Sequence, residues 1–330
     1  MPREPAAVVG QTVPVKTLGR FLLGVIALLG TLVGALAVAL HLWPVRWVPL
    51  VELAALVPVL IAAPVIAVLA GVLARHRLRL VVSVAVLAAG VCTQLPLFVG
   101  GDRPEPHLTV ASANLMVGTG DVAGLAALVG AQRVDVLAVQ ELTPEAAAAV
   151  ARSSIVVDLP HRFERPAAGA NGSAIYSRYP LRDGAALDGF ILENLSAVLE
   201  VPGHGPLRLL ALHPVAPIGW PAAELSSPWW AAEQDRVREL LHALPDGPVI
   251  AAGDFNATWD HALFRRNLTA GYVDATRAAG AGWLRTYPQD RSYPPVVGID
   301  HVLLRGLSAA SVTSHAIAGT DHRVVVARVG

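Results

Sequence analysis

The sequence predicts an α/β protein in which two packed mixed β-sheets, flanked by helices, follow three transmembrane helices. Two observations carry this prediction. The 330 residues are 54% hydrophobic and only 15% charged, with a mean hydropathy of +0.53, whereas soluble domains carry about 25% charged residues. The apolar excess is concentrated in the first 100 residues, and short apolar runs that end in polar residues fill the remainder. A membrane region followed by one sizeable soluble domain accounts for both observations.

Three apolar segments are each long enough to cross a bilayer. They lie at about 21–42, 48–73 and 80–98, and a helix needs roughly 20 residues to cross about 30 Å of hydrocarbon. The second segment contains Glu52, which we place at the headgroups, and two prolines, which predict a kinked helix. A cleaved signal peptide is the alternative for the first segment, but its apolar core is longer than usual and two more spans follow.

The basic residues of the short loops predict the orientation. Arg46 alone separates the first two spans, whereas two groups of three basic residues mark the other ends. These groups are Arg3, Lys16 and Arg20, and Arg75, Arg77 and Arg79. The basic ends are expected in the cytoplasm. We therefore predict a multi-pass plasma-membrane protein with a cytoplasmic N-terminus and an extracytoplasmic C-terminal domain. A re-entrant second segment would reverse the side of that domain.

The composition changes after the third span. Residues 100–106 combine glycine, proline and charge and predict a linker between a membrane region at 1–99 and a soluble domain at 107–330. From residue 101 onward the chain has 18 basic and 23 acidic residues, which disfavours a non-specific nucleic-acid binder. The single cysteine, Cys92, cannot form an internal disulfide.

The soluble domain alternates strand and helix patterns. Five apolar runs end abruptly in polar residues, as buried strands do, at 107–113, 134–139, 173–176, 207–212 and 248–252. Two later runs, 299–304 and 323–329, have polar residues at their starts instead. Helices are predicted at 121–132, 143–152 and 228–243, the first two from their capping residues.

The polar residues at these strand ends are weak evidence when taken singly. Asn114 is typical of a turn, Glu141 of a surface next to a helix, and His213 of a loop before proline. Their conjunction is stronger, because Asp254, Asp300 and Asp321 add three acids at strand edges of the same domain. The sequence therefore indicates one site built from several strand ends.

The motifs around these residues resemble the endonuclease/exonuclease/phosphatase superfamily, the metal-dependent phosphoesterases that include DNase I-like nucleases, neutral sphingomyelinases and inositol-phosphate phosphatases. The motifs, in the order of that family, are ANLM at 113–116, VQEL at 139–142, GSAIYSRYPL at 172–181, LHP at 212–214, GDFN at 253–256, IDH at 299–301 and TDH at 320–322. The resemblance covers about 107–330. It implies a four-layer α/β sandwich, in agreement with the two sheets predicted above.

The resemblance also implies hydrolysis of a phosphate ester with Mg²⁺ or Mn²⁺ as cofactor. It makes Glu141 the principal metal ligand, with Asn114 and Asp321 close by. Carboxylate and amide oxygens suit a hard cation that neutralises charge on phosphate oxygens.

The catalytic roles follow from the same resemblance. His322, oriented by Asp300, deprotonates water or binds the phosphate, while Asp254 positions or activates the nucleophile. Asn256 offers an amide N–H to the phosphate. His213 donates to a phosphate oxygen or to the leaving group.

Other histidines and tryptophans are interpreted as structural. His301 is expected to support the site without entering it, and three histidines match no motif and are expected at the surface, namely His204, His261 and His315. Three tryptophans lie in or after a proline-rich insertion that follows the LHP motif, namely Trp220, Trp229 and Trp230. They either pack against the sandwich or form a loop for substrate or the membrane interface.

The predicted function is a membrane-anchored phosphoesterase acting outside the cytoplasm. A phospholipid-type or envelope phosphate ester is the favoured substrate, because the domain is tethered beside the bilayer. An extracytoplasmic DNase- or RNase-like nuclease is the alternative, and nucleic acid is not favoured by the charge. A catalytically inactive sensor of a phosphorylated ligand is a third hypothesis. No protein partner is predicted, and fold alone cannot choose among these substrates.

Overall fold

The computed structural model describes residues 15–217 and 226–330, and its chain forms two compact units. The first unit comprises the described residues up to Ala39 together with Pro58–Thr93, and the second comprises Leu40–Val57 with the described part of Gln94–Gly330. Residue 220 of the proline-rich insertion, a tryptophan, and the first basic residue, Arg3, lie outside the described residues.

Apolar helices make up the N-terminal region. Their bounds are α1 Val15–Leu42, α2 Val48–Ala55, α3 Val57–Leu60, α4 Ala63–Ala74 and α5 Arg77–Gln94, followed by a 3₁₀ turn at Leu95–Leu97. Three stretches are long and apolar enough to cross a membrane, at Thr17–Leu42, Val57–Ala74 and Arg77–Leu97. The second stretch begins at Val57, so the predicted segment at 48–73 is divided, and α2 belongs to the other compact unit.

Small residues bring the helices of the first unit close together. A Cβ at Gly34 would lie 2.6 Å from Cγ of Pro64, so the backbone of α1 approaches α4 at a distance that only glycine permits. The hydroxyls of Thr31 and Ser83 share a hydrogen bond of 2.7 Å between α1 and α5. Close backbone approach and interhelical hydrogen bonds are typical of packed membrane helices.

The α/β domain contains twelve strands among the described residues. They are β1 Leu108–Asn114, β2 Val136–Gln140, β3 His161–Arg165, β4 Ser173–Ser177, β5 Leu181–Ala186, β6 Leu195–Val201, β7 Gly205–Leu212, β8 Val249–Asp254, β9 Tyr272–Asp274, β10 Asp300–Arg305, β11 Ala309–His315 and β12 Val324–Val329. The helices are α6 Val122–Gln132, α7 Pro144–Val150, α8 Ile155–Asp158, α9 Ser226–Ala243, α10 Ala262–Arg266 and α11 Ala275–Ala279.

The strands form two six-stranded mixed sheets. Their orders are β11-β12-β1-β2-β4-β3 and β5-β6-β7-β8-β10-β9. Each sheet has one parallel pair at its centre, β1 with β2 and β7 with β8, and the other neighbours are antiparallel. A continuous apolar core fills the space between the sheets, and two further clusters lie between the sheets and the helices. The structure confirms the predicted fold class.

Local sequence explains the elements that were predicted. The carboxylate of Asp121 accepts from the amide of Ala123 at the start of α6, and Thr143 accepts from the amide of Ala146 at the start of α7. These side chains satisfy helix donors that would otherwise lack partners. The seven predicted strands appear as β1, β2, β4, β7, β8, β10 and β12.

Candidate active site

The candidate active site lies where the carboxyl ends of the two central parallel pairs meet. β1 ends at Asn114, β2 is followed by Glu141, β7 by His213, and β8 ends at Asp254. The remaining acids and the histidine come from strands that start at this edge, Asp300 opening β10 and Asp321 and His322 preceding β12. Parallel strands deliver their carboxyl ends to one edge of a sheet, which is why residues far apart in sequence converge here.

Asn114 joins the contributions of the two sheets. Its Nδ2 donates to Oε1 of Glu141 at 3.0 Å and to Oδ2 of Asp254 at 3.1 Å. Its Oδ1 accepts from the amide of Met116 at 2.9 Å. The hydroxyl of Thr320 donates to the carbonyl of Asn114 at 2.9 Å, which ties the TDH motif to the end of β1.

Glu141 is one of the two partly exposed carboxylates of the site, the other being Asp321. Its backbone has a positive φ of 58°, and its Oε2 accepts from the amide of Val117 at 2.6 Å. A positive φ is uncommon for a residue other than glycine and marks a position held by its surroundings. The second oxygen, Oε1, faces Asn114 and lies 3.9 Å from Nε2 of His213.

Asp254 is the buried carboxylate at the centre of the site. Its Oδ1 accepts from the amide of Asn256 at 2.8 Å, and its Oδ2 lies 3.7 Å from Nε2 of His213 and 3.6 Å from Nε2 of His322. Burial raises the pKa of Asp254 to about 6, and nearby His322 opposes that rise. The group can therefore accept a proton near neutral pH.

His322 is held between three carboxylates. Its Nδ1 lies 3.0 Å from Oδ2 of Asp300, and its Nε2 lies 3.9 Å from Oδ1 of Asp321. Burial disfavours the charged ring, but the carboxylates of Asp300 and Asp254 outweigh it and raise the pKa of His322 to about 10. The ring is therefore an imidazolium that can donate a hydrogen bond. Burial also raises the pKa of Asp321.

His213 and Asn256 complete the set of predicted residues. The amide of His213 donates to Oδ1 of Asn194 at 2.6 Å, which fixes the turn after β7. Asn256 has a positive φ of 49°, and its Nδ2 donates to the carbonyl of Pro214 at 2.9 Å. The structure thus brings seven of the predicted side chains into one connected cluster, which Asn256 joins through its backbone amide.

The donor set fits a divalent cation. Four carboxylates converge at this edge, and among the described residues the basic side chains within 4 Å of them are the imidazoles of His213 and His322. One oxygen each from Asp254 and Asp300 and one nitrogen of His322 lie within 4.8 Å of one another, but only the oxygens are ligands there, because an imidazolium has no lone pair for a cation. Excess negative charge and oxygen ligands are what Mg²⁺ and Mn²⁺ prefer.

Two histidines outside the cluster hold its framework. His301, expected to support the site, has Nδ1 2.8 Å from Asp274 and Nε2 2.9 Å from the carbonyl of Ala257, so both nitrogens donate. His261, expected at the surface, is buried, and that prediction is wrong. It packs edge-on against the indole of Trp230, 5.2 Å between ring centroids. No motif signalled His261, because its role depends on contacts with residues distant in sequence.

Sequence reasoning also missed residues on the segment before β10. The ring of Tyr287 lies 5.0 Å from that of His322, and burial raises the pKa of this tyrosine. The amide of Gln289 donates to the carbonyl of Asp321 at 2.9 Å. This segment covers one side of the TDH motif, and it carries no strand or helix pattern that would have predicted the contact.

Comparison with known protein families identifies the family of the chain. A sequence model described as "Endonuclease/Exonuclease/phosphatase family" matches residues 111–322. The chain belongs to that family, and it is an enzyme of the class that hydrolyses phosphate ester bonds. The matched region contains all eight predicted site residues.

Solved structures with the same fold include bacterial and animal proteins. An endonuclease/exonuclease/phosphatase from Beutenbergia cavernae DSM 12333 is 18% identical over 68% of this chain and 72% of its own, with a TM-score of 0.53. A humanized D. rerio TDP2 is 17% identical over 68% and 98%, with a TM-score of 0.56. The 3′ phosphatase NExo from Neisseria, bound to a product DNA hairpin, is 19% identical over 67% and 98%, with a TM-score of 0.52. No curated protein matches the chain.

Proposed function

We propose that this protein is a membrane-anchored, Mg²⁺- or Mn²⁺-dependent phosphoesterase whose active site faces the outside of the cytoplasm. The observation that carries the proposal is the complete, connected cluster of four carboxylates, two imidazoles and two amides at the strand ends. Completeness argues against an inactive sensor, because removal of one acid or histidine is enough to disable such a site.

Glu141, with Asn114 and Asp321, would hold the divalent cation. When bound, the cation neutralises charge on the phosphate oxygens and so lowers the barrier to attack by water. Glu141 and Asp321 suit this role because they are the more exposed carboxylates of the cluster, with 15% and 23% of their side chains accessible. A ligand must be reachable by an ion that exchanges with solvent.

The buried residues move protons and stabilise charge. Asp254 Oδ2 takes a proton from the attacking water while the water oxygen bonds to phosphorus. His322, as an imidazolium fixed by Asp300, donates Nε2–H to a phosphate oxygen. His213 gives a hydrogen bond or proton to the leaving oxygen as its bond to phosphorus breaks. Asn256 donates its amide to a second phosphate oxygen.

The three apolar stretches support the membrane anchor and its orientation. Each is long enough to span a bilayer, and the basic loops favour a cytoplasmic N-terminus with the α/β domain on the opposite side. A reporter enzyme fused after Gly330 is expected to be active only in the extracytoplasmic compartment. Activity of a cytoplasmic reporter at that position would contradict the three-span topology.

A phospholipid-type or envelope phosphate ester is the substrate class that we propose. The third apolar stretch ends at Leu97 and β1 begins at Leu108, so the site is tethered where lipid headgroups have a high effective concentration. The net negative charge of the domain is unfavourable for tracking along a nucleic acid. Extracytoplasmic nucleic acid remains the rival substrate, and the relatives TDP2 and NExo were solved with DNA.

The test compares three substrates with the full-length protein in lipid nanodiscs. They are phosphatidylcholine/phosphatidylglycerol vesicles, a DNA hairpin and a small aryl phosphodiester, each with Mg²⁺, Mn²⁺ or chelator. We expect metal-dependent hydrolysis that is lost in Asp254→Asn and kept in Asp235→Asn, whose carboxylate lies on the surface of α9. Preference for DNA with strong salt sensitivity would contradict the lipid proposal, and turnover that persists in Asp254→Asn would contradict the assigned site.

A further inference from the structure

The segment Leu40–Val57, which links the first two apolar stretches, is part of the same compact unit as the α/β domain. Its Val51 is 1% exposed and belongs to the apolar cluster that contains Trp230, Phe255 and Phe264. Val45 packs against the same cluster. The segment therefore supplies core side chains to the outer face of the second sheet, the face of Val249 and Ala251, whereas Asp254 lies on the opposite face of β8.

Asp260 is a buried carboxylate that this segment satisfies. It is 2% exposed, and its Oδ1 lies 2.7 Å from Nδ1 of His41 and accepts from Nε2 of Gln94 at 2.8 Å. A buried carboxylate without such partners would be strongly unfavourable. Arg265 donates to the carbonyl of His41 and, at 2.6 Å, to that of Trp259. Burial lowers the pKa of Arg265 to about 10, so its positive charge still faces Asp260 at neutral pH.

The next residue, His261, makes a second connection. The amide of Thr258 donates to its Nδ1 at 2.8 Å, so the ring proton is on Nε2. That nitrogen then donates to the carbonyl of Val51 at 2.9 Å. Burial lowers the pKa of His261 to about 4, which keeps the ring neutral and the bond intact at physiological pH.

Contacts lead from this connection to the active site. The ring of His261 packs against Trp230, and Trp230 Nε1 donates to the carbonyl of Asn256 at 2.8 Å. Gln234, one turn along α9, donates to the carbonyl of Phe255 at 2.8 Å. The amide of Asn256 in turn donates to Asp254. The left-handed backbone of Asn256 is thus fixed from one side by α9 and from the far end of the loop by Asp260 and His261.

We infer that segment 40–57 is a positioning element of the active site, which fixes loop 255–261 through Asp260 and His261 and so sets the geometry of Asn256 and Asp254. The activity readout of this inference rests on the proposed function. His41, Asp260 and His261 touch no reacting atom, so they are positioning residues. A displacement of about 1 Å at catalytic groups can cost about a hundredfold in rate.

The first experiment measures steady-state kinetics of the full-length protein in nanodiscs on the aryl phosphodiester. Asp260→Ala and His41→Ala are each expected to lower kcat about 10- to 100-fold with little change in KM. The double variant should fall little further, because both changes break the same bond. Asp260→Asn should restore part of kcat, because its amide oxygen still accepts a hydrogen bond.

The matched control removes a contact of the same segment that does not reach the loop. Arg46 pairs with Asp235 on the surface of α9, and an exposed pair of this kind contributes little. Asp235→Ala is therefore expected to keep kcat within twofold. A comparable loss of kcat in Asp235→Ala would show that any weakening of the contacts of segment 40–57 lowers activity. That result would overturn the specific role of Asp260.

Amide hydrogen exchange gives a readout that does not depend on the substrate. In Asp260→Ala, amides of 255–261 should exchange faster while those of β1 stay protected. If the unaltered protein hydrolyses none of the substrates, the proposed function fails. Amide hydrogen exchange then still tests whether segment 40–57 fixes loop 255–261. Unchanged exchange and unchanged kcat in folded Asp260→Ala, or in His41→Ala if the former does not fold, would overturn the inference.

Discussion

The loops that follow β2 and β8 occupy corresponding places in the two sheets, yet they are held in different ways. The loop after β2 is fixed by main-chain bonds, for example from the amide of Leu142 to the carbonyl of Gly172 at 3.0 Å. A Cβ at Gly172 would lie 1.9 Å from the carbonyl oxygen of Leu142, so only glycine permits this approach. The loop after β8 has four carbonyls that accept from side chains, those of Phe255, Asn256, Ala257 and Trp259.

The two loops define two halves of the site, a first half around Glu141 after β2 and a second half around Asp254 after β8. The difference in their contacts indicates that the two halves have different roles. Main-chain bonds hold the loop of Glu141 while leaving its carboxylate partly exposed, which suits the metal-binding role that we propose for it. Side-chain donors from several elements hold the carbonyls of the loop that follows the buried Asp254. The loop after β2 thus depends on main-chain contacts, and the loop after β8 depends on side chains from several other elements.

The largest expected effect is the loss of activity when Glu141 or Asp254 is replaced, and the response to added metal should distinguish the two variants. Glu141→Gln and Asp254→Asn should each lower turnover at least about a thousandfold, because one removes a ligand charge and the other the proton acceptor. High Mn²⁺ should recover part of the activity of Glu141→Gln but none in Asp254→Asn. Hydrolysis across a metal titration checks this, with circular dichroism as the control for folding. Equal recovery of activity in both variants would contradict the separate roles of Glu141 in metal binding and Asp254 in accepting the proton.

A smaller effect is expected when one side-chain donor of the loop is removed. Trp230→Phe keeps an aromatic ring but loses the indole N–H that donates to the carbonyl of Asn256, so stability should fall by at least about 1 kcal/mol and kcat by roughly tenfold. Asp121→Ala is the matched control. Asp121 caps α6, which packs beside the other sheet, and loss of this helix cap also costs about 1 kcal/mol without removing a contact of the site. Thermal melts and kcat together check the pair. An equal loss of kcat in the control would assign the effect to stability alone.

The pH dependence of stability should show the contribution of His261, which belongs to the loop after β8. His261 has a pKa of about 4 in the folded protein, below its ordinary 6.5, so folding favours the neutral ring. Above pH 6.5 its contribution is complete, and as the pH falls toward 4 the unfolded chain gains a proton that the folded chain does not. The loss should reach about 3 kcal/mol. Melting temperatures of the native protein and His261→Gln from pH 7.5 to 4.5 measure it, and equal acid sensitivity would contradict it.

The smallest effect on stability and kcat is expected at the exposed side of α9, next to the loop that follows β8. Trp229 is 45% exposed in α9, beside the buried Trp230. Trp229→Ala should leave stability within about 0.5 kcal/mol and kcat on a soluble phosphodiester within twofold. A several-fold rise of KM on vesicles alone would favour a role at the membrane interface. A matching rise on the soluble diester would place Trp229 in the substrate site instead.

The strands that the sequence pattern revealed are those with buried, β-branched runs. Four of the five strands it missed, β3, β5, β9 and β11, lie at sheet edges. Edge strands carry polar and small residues that protect against unwanted pairing, so they lack a clear hydrophobic pattern. β5 reads LRDGAA and has a positive φ at Asp183. The fifth, β6, is apolar but ends without the polar residue that marked the others.

The site was predictable where it depends on motifs and not where it depends on packing. Asn114, Glu141 and Asp254 stand at strand ends, and topology alone brings them together. The partners of the loop after β8 come from α9, β10 and the N-terminal segment, and no spacing in the sequence connects Val51 with His261. Such long-range contacts follow from the packed structure and not from local pattern.

The bond between His41 and Asp260 joins residues 219 positions apart. At a synthesis rate of about 5–20 residues per second, the ribosome needs about 10–40 s to deliver the partner of a segment that has already entered the membrane. The segment between the first two helices must therefore stay exposed until the second sheet has formed. A nascent chain arrested before residue 260 therefore exposes that segment with its apolar Val51, because the cluster that buries Val51 is still incomplete.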